Sequence, residues 1–567
     1  MANKVVFVVE KYLGAFKTDG SFVEYLSVNA KKELEATWYS RREVLALARK
    51  GAGVLRSHLG AGECCLHFFT DNRFEDLVFR LASVLVGSVP VTVNWQSDDA
   101  ERVRYKASST GAKLCLVDKG LPAWSLPLKC LDAREALEGS QSPSLEVCET
   151  TTTADTRIII FTSGTTGMPK GVRLSYGAYD ANRETFEDFL MVGEGVQLDC
   201  VVTNPFHHTN TTAITDWALR RPGSKLRLLQ RYTTAYWSVV AAAARRAPFG
   251  STADLKTDDD AYRVVCPLVS RHIDFLDDLC ARGKLPVPSK SLASSRGVVL
   301  LLGSAPVGPT TVDRLERLVD SLPVVRFGST ETCLQVAGTP LAMTPADRLE
   351  RFRRGWEHSW RGQATVGYYI GRDHAPLTEV RVVRSVESME DCDDGEPGYL
   401  VTRGDNLMSG YVGNPDATAK AFSDDGWYLN LGDVGFRLGK DLYWYSRDSA
   451  MLIRGGANYA YEQINAELVA FVARKYALVP KTDFDLAVVG IKIQSEHEDS
   501  CCVTLELKRD DIDPPDEQAF LAAARDAGVS KGAKPDKLRV APLPRNFKGV
   551  VLIPDLVKAW KAHLLLL

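Results

Sequence analysis

Within the eleven positions of Phe161-Thr-Ser-Gly-Thr-Thr-Gly-Met-Pro-Lys-Gly171 the chain gathers four hydroxyls, three glycines and a lysine. A loop that holds phosphate needs these ingredients. Gly164, Gly167 and Gly171 let backbone N–H groups converge on an anion without obstruction by Cβ. Thr162, Ser163, Thr165 and Thr166 can donate hydroxyl hydrogen bonds to phosphate oxygens, and Lys170 can neutralise the charge on a leaving group. The spacing is not that of a P-loop NTPase, because no Gly-Lys-Ser/Thr occurs in the segment. A loop that only reversed the chain would have no need of so many phosphate-compatible groups.

The elements around this loop must hold it rigidly. Arg157-Ile-Ile-Ile-Phe161 is a continuous apolar run of the kind buried strands show, and it leads directly into the loop. Before it, the first 150 residues alternate helical patterns with short Val-rich runs such as Val89-Pro-Val-Thr-Val93, an α/β signature. Gly250 to Asp260 and the acidic turn Glu390 to Pro397 break the pattern and predict exposed loops. After Arg447 a run of about 120 residues predicts strands at Val488–Gly490 and Cys502–Leu507 and a helix from Glu517 to Ala527. The expected fold class is α/β, with a large N-terminal domain over residues 1–447 and a small mobile α+β domain over 448–567.

Whole-chain properties narrow the function classes. A chain of 567 residues exceeds one hydrophobic core. Its formal net charge of −3 carries no basic excess, which argues against nucleic acid as a partner. The five-residue apolar run near Met1 is too short for a signal-peptide core, and no stretch reaches the roughly 20 apolar residues of a membrane span. Twelve cysteines without any C-x-x-C predict reduced thiols, hence the cytoplasm or another reducing soluble compartment.

The Phe161–Gly171 segment resembles the signature of the adenylate-forming superfamily, which includes AMP-forming acyl-CoA synthetases, peptide-synthetase adenylation domains and luciferases. Further elements of that family follow in the expected order. Pro205-Phe-His-His208 matches a Pro-x-x-His element that places His208 near the acyl pocket, although a histidine pair alone is more often structural. Gly303-Ser304-Ala305-Pro306 resembles the turn that flanks adenine. Phe327-Gly328-Ser329-Thr330-Glu331 resembles Tyr-Gly-x-Thr-Glu, in which the aromatic ring stacks on adenine, the threonine meets the α-phosphate and the glutamate helps hold Mg²⁺. A hard carboxylate oxygen suits that ion. Gly398 to Gly404, Gly410-Tyr411, Pro415 and Thr418 match an element whose role is packing. Asp433 matches the carboxylate that accepts the ribose hydroxyls, and Arg447 an arginine reaching ribose or phosphate. Gly455 and Gly456, within Arg454-Gly-Gly-Ala-Asn458, resemble the loop that lines a pantetheine tunnel, and paired glycines are otherwise a plain turn.

The resemblance implies a carboxylic acid:CoA ligase with ATP, Mg²⁺ and coenzyme A as its cofactors and co-substrates. Carboxylate attack on the α-phosphorus would expel pyrophosphate, and a thiol would then displace AMP, with the small domain turning about a hinge near Ser449 between the two halves. The alternatives are an enzyme that loads a carrier protein and a non-catalytic nucleotide or acyl sensor. Two positions depart from the pattern. The C-terminal catalytic lysine is expected at position 550, where this chain has valine, and Lys548 is the nearest ammonium. Arg326 precedes Phe327, where relatives often carry an amide or acid for the adenine amino group. The acyl pocket is expected between His208, Trp217 and the strand ends at Gly303 and Phe327. The arginines between Asp347 and Arg361 read as a solvated helix face, with a clamp for a second carboxylate or for CoA phosphates as the sharper reading. The identity of the acid and the oligomeric state stay open.

Overall fold

The computed structural model describes residues 8–118, 126–140, 147–162, 168–246, 261–287, 297–304, 306–361, 363–364, 367–429, 432–447, 451–454, 457–493, 495–545, 551 and 553–565. The loop expected at 250–260 lies outside them.

Two large sheets carry the first 447 residues. One has seven strands, in the order Gly410–Tyr411, Lys170–Ser175, Thr156–Thr162, Val89–Thr92, Cys64–Phe68, Leu114–Val117 and Lys129–Asp132. Pairing is parallel from Thr156–Thr162 outward to Lys129–Asp132. The strand Lys170–Ser175 folds back antiparallel on Thr156–Thr162, with Thr162 opposite Lys170. The Ile158-Ile-Ile160 run is buried on both faces, as its unbroken hydrophobicity predicts.

The other sheet has thirteen strands. Its centre is a parallel array in which Val324–Phe327, Val298–Leu302, Tyr262–Leu268 and Gln197–Val202 lie side by side. Such an array ends its strands together, so the turn after Leu302 and the loop after Phe327 emerge at the same edge, where α/β folds place ligands. Beyond Val324–Phe327 the sheet continues antiparallel through Ala337–Gly338, Tyr368–Asp373, Asp441–Arg447 and Asp433–Leu438.

The elements from Met451 onward share a core of their own. The strands Phe484–Ile491, Ser500–Leu507 and Lys537–Val540 make a three-stranded sheet, covered by the helices Tyr461–Tyr476, Glu517–Asp526 and Ile553–Leu564. Leu452, Phe471, Val488, Phe520 and Trp560 share a hydrophobic core whose buried members all come from this unit. The predicted strands and helix at 488–490, 502–507 and 517–527 fall within these elements. Glu390 to Pro397 is an exposed acidic turn tied back to Arg384 through Glu390 and Glu396. Among the described residues, no helix is long and apolar enough to cross a membrane.

Candidate functional site

The two sheets bring distant motifs together at one cleft. Lys170, at the start of its strand, places Nζ 5.0 Å from the centroid of the Tyr411 ring. Tyr411 in turn donates its hydroxyl to Glu331 Oε1 at 3.1 Å. Met408 N also donates to the Glu331 carbonyl at 2.7 Å, so side chain and backbone of Glu331 are both held by the 408–411 segment. Thr209 Oγ1, at the start of the helix Thr209–Arg220, meets Thr330 Oγ1 at 3.1 Å. That contact joins the histidine pair to the Phe327–Glu331 loop, since His208 is the residue that precedes this helix.

The loop is built for close approach. A Cβ on Gly328 would lie 2.6 Å from the carbonyl oxygen of Leu334 and 2.7 Å from the Cα of Gln335, so only glycine lets the chain fold back this tightly. Ser329 N donates to Thr332 Oγ1 at 2.8 Å, while the buried Ser329 hydroxyl has no hydrogen-bond partner among the described residues. An unmet buried hydroxyl costs free energy unless a ligand completes it. It therefore fits a loop that receives a nucleotide phosphate.

Asp433, only 4% exposed, accepts a 2.8 Å hydrogen bond on Oδ1 from the indole Nε1 of Trp444. It stands directly opposite Arg447 in the antiparallel pair of strands. Phe327 and Trp444 both pack, half-buried, against one small apolar cluster that includes Val336 and Leu400. Trp444 and Tyr411 are the contributions that the motifs did not reveal as chemistry. Gly410-Tyr411 reads as packing in the sequence, yet its phenol bridges Lys170 and Glu331. Trp444 carries no local signal, because its partner is defined only by strand pairing.

Of the histidine pair, His208 immediately precedes Thr209, and its ring centroid lies 4.3 Å from that of His207. Burial, with Lys106 nearby, pushes its imidazole down to about 4, so it is neutral at physiological pH and offers hydrogen bonding without charge. His207 points instead to a small cavity shared with His67, Asp76, Arg80 and Trp95, where its Nε2 has no partner.

Trp217 does not line a pocket. It is fully buried, stacks on Phe186 with ring centroids 5.2 Å apart and donates to Glu187 Oε1 at 3.0 Å. The expectation that it walls the acyl site is corrected: it lies toward the far end of its helix from His208, where the helix faces the core. The arginine-rich helix Pro345–Trp356 is only partly a solvated face. Arg348 is buried on the carbonyls of Leu322 and Met343, and Arg351 pairs with Asp441 at 2.7 Å, whereas Arg353 and Arg354 are exposed.

Ser163, Gly164, Thr165, Thr166, Gly167, Ala305, Gly455, Gly456 and Lys548 lie outside the described residues, as does the side chain of Arg447. Lys170 and Glu331 are linked through Tyr411, Thr330 meets Thr209, Thr162 stands opposite Lys170 in the strand pair, and His208 is joined to them as the residue before Thr209. Gly303, Ser304 and Pro306 form the turn at the end of the strand Val298–Leu302. Among the described residues, no group of three or more His, Cys, Asp or Glu side chains could hold a metal ion. Magnesium that leans on one carboxylate and on nucleotide phosphates needs no such cage, and Glu331 fits that use.

The fold is that of adenylate-forming enzymes. The sequence profile of the family described as AMP-binding enzyme matches residues 24–412, and the chain belongs to that family. A 2-succinylbenzoate–CoA ligase of Bacillus licheniformis is 26% identical over 433 residues, 75% of this chain and 77% of that protein. An indoleacetate–CoA ligase of Aromatoleum aromaticum is 26% identical over 435 residues, 73% and 74% of the respective chains. Among solved structures, a double mutant of o-succinylbenzoate CoA synthetase (MenE) from Bacillus subtilis, bound with its product analogue, superposes with a TM-score of 0.75. Its identity is 19%, over 97% of this chain and 98% of that one. The same enzyme with ATP and magnesium ion gives a TM-score of 0.62 at 18% identity, over 97% and 99%.

Proposed function

We propose that this protein is an AMP-forming carboxylic acid:CoA ligase. The contact that carries the reading is the chain Lys170, Tyr411, Glu331, Thr330, Thr209, which draws the phosphate-loop strand, the magnesium-binding carboxylate and the helix behind His208 around one point. The relatives named above are CoA ligases, which supports the same reaction class. The small domain begins at 448 in this reading, with Lys548 supplying the charge that valine at 550 cannot.

In the first half-reaction an oxygen of the acid attacks the α-phosphorus of ATP, the P–O bond to pyrophosphate breaks, and an acyl-adenylate forms. Lys170 and Thr330 stabilise the negative charge that develops on the phosphate oxygens. Magnesium, when bound at Glu331, adds positive charge there. Tyr411 holds the Glu331 carboxylate in place, and Asp433 receives ribose hydroxyls while Trp444 fixes its orientation. In the second half a thiol attacks the acyl carbon, the C–O bond to AMP breaks, and AMP leaves with the electron pair. His208, being neutral, borders the acid without competing as a cation.

We infer that the small domain packs on the large one through the segment 492–497. Here Glu496 Oε2 accepts from Thr310 N at 3.1 Å, at the start of the helix Pro309–Val319 that follows the Gly303–Pro306 turn. His497 contacts Thr311, and Lys492 lies 5.6 Å from the Tyr368 ring centroid. We also place the protein in a reducing compartment, since its cysteines are free thiols.

The test is release of pyrophosphate and AMP from purified protein with Mg-ATP and a panel of carboxylic acids, with and without CoA. AMP that appears only with CoA, and pyrophosphate lost in Lys548→Ala, are the expected results. ATP binding without turnover of any acid would refute the ligase reading, and CoA-independent transfer to a carrier protein would redirect it.

A further inference from the structure

Arg326 is 3% exposed, yet among the described residues it has no carboxylate partner. Its Nη2 reaches the Ser304 hydroxyl only at 3.5 Å, and its Nε has no hydrogen-bond partner. Among the described residues the other deeply buried arginines hold a carboxylate or backbone carbonyls, although Arg157 Nη1 and Arg348 Nε also have no hydrogen-bond partner there. Arg80, Arg157, Arg220 and Arg227 each pair with an aspartate, and Arg41 donates to the carbonyls of Ala15, Arg221 and Ser224. A guanidinium cannot shed its proton to escape burial, so an unpaired one is retained only where something else completes it.

The surroundings make room for it. Gly303 stands beside Arg326 on the neighbouring parallel strand, and a Cβ there would lie 2.7 Å from the guanidinium carbon. Ser304 takes a left-handed conformation, φ +69°, that turns its hydroxyl toward the same group. Consecutive strand residues face opposite sides. If Phe327 meets the nucleobase, the Arg326 side chain therefore faces away from it. Val324 shares that side of the strand, and it packs in one core cluster with Phe206, Ala213 and Ile214, which flank His208 in sequence. The guanidinium thus sits at the strand end on the side of the histidine helix, where the acid has to lie.

We propose that Arg326 receives a second anionic group on the substrate, so that the acids this enzyme activates carry a carboxylate or sulfonate besides the carboxylate that is adenylated. The proposal rests on the ligase reading and names its substrate class. A planar guanidinium whose Nε has no partner among the described residues suits a carboxylate or sulfonate, and a pair formed in a water-poor niche is strong enough to decide selectivity. An acid with a neutral end would leave the charge unmet.

The test compares wild type with Arg326→Met and Arg326→Lys, using malonate, succinate, glutarate and 3-sulfopropionate against the monomethyl esters of the diacids. Pyrophosphate release gives kcat and KM, and the ligand-induced rise in melting temperature gives binding without turnover. The expected result is preference of the wild type for the doubly charged acids, with KM for them raised about 100-fold in Arg326→Met and partly restored in Arg326→Lys. KM for Mg-ATP should stay at the wild-type value, which also shows that the variant is folded. A raised KM for Mg-ATP would assign the guanidinium to the nucleotide and overturn the proposal. So would turnover of the esters at least equal to that of the diacids, with the ligase reading intact. If no acid yields pyrophosphate but the diacids still stabilise wild type and not Arg326→Met, the ligase reading fails and the anion site stands.

Discussion

Two buried arginine environments in the same domain teach opposite lessons. Where the helix Thr209–Arg220 packs on the first helix, Asp216 accepts from Tyr12 at 2.8 Å and Arg157 at 3.0 Å, and its Oδ2 lies 2.9 Å from Arg220 Nε. Arg220 also reaches Asp180, which Lys11 approaches at 2.6 Å. Burial opposes the charge on Arg157, but Tyr12 and Asp216 outweigh it and hold the guanidinium above its ordinary range. At the cleft, burial acts alone on Arg326 and pushes it down to about 10. Arg157 holds a carboxylate that the fold supplies, although its Nη1 has no partner among the described residues, whereas Arg326 holds only a long contact to a serine hydroxyl. The difference separates residues that keep the scaffold rigid from those whose unmet demand marks a site.

The largest test of that contrast is Asp216→Ala. It strands the buried Arg157 guanidinium and takes one of two carboxylates from Arg220, and the loss should be about 4 kcal/mol, read as a lower urea midpoint of the large domain. An unchanged midpoint would mean that the network is solvated in solution and that the comparison with Arg326 has no basis.

Acid attacks a different set of buried groups. Burial is the foremost cause that holds His272 near 4 and His374 near 3, while unfolded histidine titrates near 6.5. The unfolded chain therefore binds protons that the folded one refuses, so stability is full above pH 6.5 and is lost as pH falls toward 4. Each such imidazole contributes roughly 3 kcal/mol across that window. Near-UV circular dichroism between pH 7 and 4 should show unfolding that shifts to lower pH in His374→Phe. A midpoint indifferent to that substitution would remove the histidines from the account.

Arg326→Met sharpens the contrast from the other side. Replacing an unpaired buried charge with an apolar side chain of similar length should raise the stability of the ligand-free enzyme by about 2 kcal/mol, the reverse of Asp216→Ala. A drop in the urea midpoint would mean that the guanidinium is already satisfied without ligand.

Much of this architecture is legible from the chain alone. The Arg157–Phe161 run reads as a buried strand because both faces of a parallel sheet are covered, and the order of motifs from Thr162 to Asp433 marks the cleft. What the chain does not disclose depends on strand neighbours. Trp217 looks like a pocket wall until its helix is seen to bury that face against Phe186. Tyr411 looks like packing until the hairpin of Thr156–Thr162 and Lys170–Ser175 sets Lys170 over its ring. Arg326 reads as an oddity near adenine, and only the register of Val298–Leu302 against Val324–Phe327 sets it over Gly303, on the other side of the strand from Phe327.

The smallest effect concerns the contact between the two domains. Glu496 brings a carboxylate to the first turn of the helix Pro309–Val319, where backbone N–H groups point outward and the helix dipole favours negative charge. Glu496→Gln keeps the shape and the hydrogen-bond acceptor but removes the charge, at a cost of about 1 kcal/mol. That cost falls only on the arrangement in which the contact is made. If it is the thioester-forming one, KM for CoA should rise up to about 5-fold while acid-dependent exchange of pyrophosphate into ATP keeps its wild-type rate. A slower exchange with unchanged KM for CoA would assign the contact to the adenylating arrangement instead. Because His497 beside it touches Thr311 and is itself held near 4 by burial, that position stays uncharged above pH 6, and the charges at the interface are those of Glu496, Lys492 and the Arg271–Glu498 pair.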